Sequence, residues 1–306
     1  MRDAFADALI AARERDPLLF VLDGDCSRST RTSRFEELFP QSFLNVGIAE
    51  QNLVGVAAGL ALRGFRPVAC SFAAILTSRA AEQIMLAVAY QHLPVVLAGH
   101  YAGLSGAYEG APHHSIADLA YLRAVPGLDV WVPADDEDVA PLLDEALLRD
   151  SPAYVRLSRD PISSGALREW RDGLGWCRVH GDGADVALVA CGVGVREAVH
   201  AAELLEPLGV DTRVLGLLRL KPLDPDGLRA ALGGAGLVVT VEEHSVNGGL
   251  GAAVAEALAP NPVPLRRVGI RDTFTETGPY DDLLRAYGVT AEAIADAALD
   301  AIGARV

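Results

Sequence analysis

A single carboxylate stands in an otherwise apolar or small stretch, Asn45-Val46-Gly47-Ile48-Ala49-Glu50-Gln51-Asn52, which runs on through Leu53-Val54-Gly55-Val56-Ala57-Ala58-Gly59. Leu53, Val56, Ala57 and Leu60 recur at helical spacing, which puts Glu50 in the first turn of a helix behind a short extended run from Ser42 to Val46. A carboxylate there complements the positive helix N-terminus. It can also handle a proton, because apolar burial raises its proton affinity while the helix end opposes the rise. A second chemistry-bearing stretch is the glycine-rich loop Gly103-Leu104-Ser105-Gly106-Ala107-Tyr108-Glu109-Gly110-Ala111-Pro112-His113-His114. Histidine exchanges protons near neutral pH, and loops on a rigid scaffold carry function. The histidine pair has too few companion ligands for a metal site.

Elements must hold these groups in place. Apolar runs at Leu18–Leu22, Pro67–Ser71, Val95–Ala98, Asp129–Val132 and Tyr154–Leu157 read as strands. Between them, helices are predicted at 3–14, from the polar loop Cys26–Thr30 to about Phe39, at Ser78–Gln91, ending near Arg123, and at Asp135–Arg149. Short apolar strands alternating with helices predict an α/β fold with a parallel sheet. Residues 160–183, rich in glycine and charge, break the rhythm. A second unit follows, with strands at Val186–Ala190, Thr212–Leu215, Leu237–Val241 and Leu265–Val268. Its helices are Arg196–Leu208, Leu228–Leu232, Gly249–Leu258 and Thr290–Ile302. The expected division is a first domain over 1–165, a linker over 166–183 and a second domain over 184–306. Gly181-Asp182-Gly183 reads as a turn before a strand. Gly192-Val193-Gly194 is a partial dinucleotide fingerprint with Glu197 where a third glycine belongs, and reads as a plain connection.

The composition narrows the function. The chain has 306 residues, 51% of them apolar, and a net charge of −15 with no long basic block, which argues against nucleic acid. The longest apolar runs are too short to span a membrane, and Arg2, Asp3 and Asp7 argue against a signal peptide. Cys26, Cys70, Cys177 and Cys191 have no C-x-x-C spacing, which predicts reduced thiols in a cytoplasmic protein.

The phrase from Val46 to Ala61 resembles the pyrimidine-domain signature of the transketolases. Gly278-Pro279-Tyr280-Asp281-Asp282-Leu283-Leu284-Arg285-Ala286-Tyr287-Gly288 resembles the end of their C-terminal domain. The resemblance covers nearly the whole chain and corresponds to the last two of the family's three domains. It implies that Glu50 hydrogen-bonds N1′ of the aminopyrimidine ring of thiamine diphosphate, promoting loss of the thiazolium C2 proton. Phe72 is retained beside that ring, and Ile75 stands where an aromatic residue usually stacks. His113 matches the histidine that contacts the substrate oxygen near the reacting carbon. Glu109 replaces an aspartate that contacts a substrate hydroxyl, and His114 replaces a glutamine. Arg2, His100, Arg159 and the serine loop at Ser27 match places that grip a terminal phosphate.

The domain that holds the diphosphate and its Mg²⁺ or Ca²⁺ is not in this sequence. The resemblance is therefore to the C-terminal subunit of a split transketolase, working with an N-terminal subunit in an α2β2 assembly on a sugar or sugar phosphate. Alternatives are a specialised acyloin-forming enzyme, an enzyme like 1-deoxyxylulose-5-phosphate synthase, a 2-oxoacid dehydrogenase β subunit, and an inert scaffold subunit.

Overall fold

The computed structural model describes residues 1–162 and 177–303. Its strands are β1 (Leu19–Asp23), β2 (Phe43–Asn45), β3 (Arg66–Phe72), β4 (Val96–His100), β5 (Asp129–Trp131), β6 (Ala153–Arg156), β7 (Cys177–His180), β8 (Val186–Ala190), β9 (Thr212–Leu217), β10 (Arg219–Lys221), β11 (Leu237–Ser245) and β12 (Leu265–Ile270). They form two sheets, ordered β10-β5-β6-β4-β3-β1-β2 and β12-β11-β8-β9-β7. The pairings are parallel except at one edge of each sheet, where β10 runs antiparallel to β5 and β7 antiparallel to β9. Central strands such as β4, β6 and β8 are buried along their whole length, as expected where helices cover both faces of a parallel sheet.

Several local expectations are modified. The helix expected at Ser78–Gln91 begins earlier, as Ala73–Arg79 directly after β3. It continues as a short turn at Ala81–Gln83 and a π-helical turn at Ile84–Ala89. The polar stretch at Cys26 closes into a helical turn, Ser27–Thr30. The Asp23 carboxylate gathers it, accepting from the Cys26 amide at 2.6 Å, Thr30 Oγ1 at 2.9 Å and Thr32 Oγ1 at 2.8 Å. Residues 163–176 lie outside the described residues, and with them the larger part, 166–176, of the expected linker; the rest of it includes β7. The glycine turn at 181–183 leads into β8, and Arg213 Nε donates to the Gly183 carbonyl at 2.6 Å.

The two units interlock. β10, from the second unit, extends the first sheet. Arg156, at the end of β6, donates Nε to Asp118 Oδ2 at 2.9 Å and Nη2 to the carbonyls of Ser115 and Glu243, each at 3.0 Å. Tyr154 Oη adds a bond to the same Asp118 oxygen at 2.7 Å, and His244 Nε2 lies 3.8 Å from Asp118 Oδ1. Burial pushes the Asp118 carboxyl up, but Arg156, His244 and the Tyr154 hydroxyl together hold it below its ordinary range. Removing one member of a buried pair leaves the other charge uncompensated. Arg156→Met should therefore destabilise the chain by about 3–5 kcal/mol, read from the chemical denaturation midpoint. A loss under about 1 kcal/mol would mean that this pair does not hold the units together.

Candidate active site

Parallel register brings the strand ends to one rim. Asp23 of β1 pairs with Asn45 of β2 and Cys70 of β3, and Phe72 of β3 pairs with His100 of β4. Ligands of open α/β sheets bind along this carboxyl edge. Glu50 opens the helix Glu50–Leu62 that follows β2 and is 3% exposed. Ser71, at the end of β3, donates Oγ to Glu50 Oε1 at 3.4 Å, and Arg79 Nη1 donates to Oε2 at 3.0 Å. The Arg79 side chain is 54% exposed. A Cβ on Gly24 would lie only 3.2 Å from Ser71 Oγ, so the β1 end passes close to this pair.

An aromatic wall runs outward from there. The Phe72 ring meets Tyr101 and His113 edge-on, with centroids 4.6 and 5.4 Å away. Ile75, half-buried, lies one helical turn before Arg79, so the two share a helix face. His113 Nδ1 faces the Glu109 carbonyl at 3.3 Å. A carbonyl only accepts, which assigns the proton of a neutral ring to Nδ1 and leaves Nε2 as an acceptor. The Glu109 carboxylate itself is exposed. His114 turns the other way. It is buried, with Nδ1 2.7 Å from Thr275 Oγ1 and Nε2 3.2 Å from the Ala107 carbonyl, and burial lowers its proton affinity. The two histidines therefore do different work.

Tyr101 is the hub of the cationic end. Arg2 Nη1 donates to its hydroxyl at 3.0 Å, and the Arg2 and Arg159 guanidinium carbons lie 5.3 and 5.6 Å from its ring centre. Tyr101 has a left-handed backbone, φ 58°, uncommon for a non-glycine residue and held here by these contacts. Arg2 also donates to the carbonyls of Arg159 at 2.7 Å and Ser29 at 2.9 Å. Those donors brace the site from within. Arg159 Nε, by contrast, is buried and has no hydrogen-bond partner among the described residues.

His100 is fully buried against Phe5, with ring centroids 5.0 Å apart. Burial, reinforced by Arg2, pushes its pKa down to about 3, so it is neutral at pH 7, with a ring N–H still able to donate. Ser29, through its carbonyl, rather than Ser27, is the serine that meets Arg2. The Ser27 carbonyl accepts from Thr30 Oγ1 at 3.3 Å within its own turn.

The structure thus brings together Glu50, Phe72, His113, Arg2 and Arg159, with Ile75 on the helix between Glu50's two partners. Sequence reasoning missed Ser71, Arg79 and Tyr101. Ile75 and Arg79 stand four apart on a helix, a spacing that signals a common face. Tyr101 carries no periodic signal, because it lies where strand becomes loop.

A two-sheet α/β protein with a buried carboxylate, an aromatic wall and an imidazole along one strand-end rim is a ligand-binding α/β enzyme scaffold. Residues 1–163 match the transketolase pyrimidine-binding domain and residues 175–294 the transketolase C-terminal domain. The chain belongs to the transketolase family, as the subunit that carries these two domains in a two-component enzyme. It is 38% identical over 299 residues to the 6-deoxy-6-sulfo-D-fructose transketolase subunit of Clostridium sp. (strain MSTE9), covering 97% of this chain and 93% of that one. It is 34% identical to a subunit of the apulose-4-phosphate transketolase of Phocaeicola vulgatus, covering 98% and 96%. A solved split-gene transketolase, an inactive beta4 tetramer, superposes with a TM-score of 0.90 at 40% identity, covering 99% and 98%.

Arg79→Met leaves the Glu50 carboxylate with Ser71 alone. The loss should be about 1–2 kcal/mol, smaller than for a fully buried pair because water already reaches the guanidinium. Denaturation of the isolated chain measures it. An unchanged midpoint would show that Arg79 does not serve as the counter-ion of Glu50.

Proposed function

We propose that this subunit presents Glu50 to the pyrimidine of thiamine diphosphate and, with an N-terminal partner, transfers a two-carbon ketol unit. The donor would be a ketose with an anionic terminus and the acceptor an aldose. The observation that carries the reading is a carboxylate 3% exposed at the strand-end rim, bonded to Ser71, the residue before Phe72 of the aromatic wall on β3. These residues fit the cofactor. Glu50 would hold the ring nitrogen N1′, with Phe72 and Ile75 against the ring face. When bound, thiamine diphosphate supplies carbanion chemistry at a carbonyl carbon. A Mg²⁺ or Ca²⁺ ion would bind with the diphosphate on the partner subunit, in an α2β2 assembly.

Each side chain then has a task. Glu50 holds or releases a proton at the ring nitrogen, and Arg79, half in water, yields the carboxylate oxygen when the ring arrives. His113 Nε2, the acceptor end of its ring, faces the substrate oxygen near the reacting carbon. Arg159 offers its guanidinium to the anionic terminus, while Arg2 holds Tyr101 beneath it. The two similar enzymes act, by their names, on a sulfonated and a phosphorylated sugar, which supports a tetrahedral oxyanion at that end. Free thiols at Cys26, Cys70 and Cys191 support a cytoplasmic setting.

In the assembled enzyme, Glu50→Gln should leave cofactor binding within a few-fold yet remove most turnover, because an amide can hydrogen-bond a ring nitrogen but cannot exchange a proton with it. Near-normal turnover at saturating cofactor would sink the assignment. Arg159→Ala should raise KM for phosphorylated or sulfonated donors at least tenfold more than for the matching free sugar, since a lost charge-assisted bond costs about 1.5–3 kcal/mol. Equal effects on both donors would mean that no oxyanion sits there.

A further inference from the structure

The loop that carries His113 closes on itself through the paired Gly103 and Ser115 backbone groups, and it is also held from outside its own domain. At its start, the Leu104 amide donates to Glu243 Oε1 of β11 at 2.6 Å. Gly103 has φ +62°, and a Cβ there would overlap the Glu243 carboxyl, so only glycine lets the carboxyl come this close. In its middle, a Cβ on Gly110 would meet Thr277 Oγ1 at 2.6 Å. At its end, His114 Nδ1 meets Thr275 Oγ1 at 2.7 Å, and the Ile116 carbonyl accepts from the Ser245 amide at 2.8 Å. Thr275 is 7% exposed, the one buried residue in a segment, 271–277, whose other members are all exposed. It reaches out of a solvated segment into the loop.

From this geometry we propose that Thr275 and Glu243 are positioning residues for His113, and that the second domain sets the place of the imidazole. The inference rests on the reading of His113 as the group at the reacting carbon. The His113 amide donates to the Gly110 carbonyl at 2.9 Å, and its ring has one bond to the Glu109 carbonyl and an edge contact with Phe72, in a stretch where Tyr108, Glu109 and Pro112 are exposed. Its chain neighbour is clamped at both ring nitrogens. The Ala107 carbonyl can only accept, so a neutral His114 carries its proton on Nε2. Nδ1 then accepts from the Thr275 hydroxyl. Losing that hydroxyl frees the ring to turn and carries the His113 backbone with it.

The test uses the enzyme assembled with its N-terminal subunit. Thr275→Val keeps the shape and removes the donor. Displacing a reacting group by about 1 Å costs on the order of 100-fold, so kcat should fall 10- to 100-fold with the thiamine diphosphate affinity within about twofold. Thr275→Ser should restore kcat. Glu243→Met releases the other anchor and should give the same loss confined to kcat, which covers the case in which Thr275→Val does not fold. The double variant Thr275→Val/His113→Ala should be no slower than His113→Ala alone, because both act through one group. Thr275→Val and Glu243→Met at full kcat, or a double variant slower by the product of the single losses, would overturn the proposal while leaving His113 in its role. His113→Ala at full kcat would remove the reading of His113 itself, and the proposal with it.

Discussion

A carboxylate withdrawn from water needs a counter-charge or a proton, and the site is arranged around that constraint at Glu50. Its partners come from neighbouring positions on one rim: Ser71 from the end of β3 and Arg79 from the helix that β3 feeds. Gly24 at the end of β1 leaves room for them. The same β3 end turns Phe72 toward Tyr101 and His113, so the geometry of the carboxylate and of the imidazole share one strand. A half-exposed guanidinium is a replaceable partner. It satisfies the carboxylate in the free subunit without closing the place where a ring nitrogen would bind.

The second domain is more than an appendage. It buries a polar stretch, Glu242-Glu243-His244, against the first. Burial pushes the carboxyl groups of Glu242 and Glu243 up to about 7 and the His244 ring down to about 4. Glu242 accepts from the amides of Leu250 and Gly251, at 2.6 and 2.9 Å, and so caps the helix Leu250–Leu258 from the end of its own strand. Glu243 points the opposite way, into the loop of the first domain. Adjacent residues on a strand face opposite sides, so one polar stretch serves both a helix end and the loop that carries His113.

Much of this was legible in the sequence, for physical reasons. The central strands are buried on both faces and read as unbroken apolar runs, and Glu50 declared itself as a lone charge at a helix start. What was hidden depends on contacts between units. β11 was expected to stop at Val241, because Glu242 to Ser245 are polar, yet the strand continues to Ser245 where the first domain covers it. Arg219-Leu220-Lys221 has two cations in three residues and no apolar alternation beyond Leu220, so its place on the edge of the first sheet carried no local signal. The histidine pair was visible as a pair; only packing separates an outward His113 from a clamped His114. That His100 lies buried against Phe5 and neutral was equally a matter of packing.

The central claim is that this chain supplies half of a catalytic site. The direct measurement is a turnover assay with a parallel thiamine diphosphate titration in excess Mg²⁺, on the purified chain alone, the N-terminal subunit alone, and the two together. If cofactor binds tightly only where both halves meet, linkage requires that it tighten the subunit interface in return. The account predicts a folded, inactive chain with negligible cofactor affinity, and ketol transfer with tight cofactor binding when the partner is added. Robust ketol transfer by this chain alone, free of any co-purified partner, would contradict it.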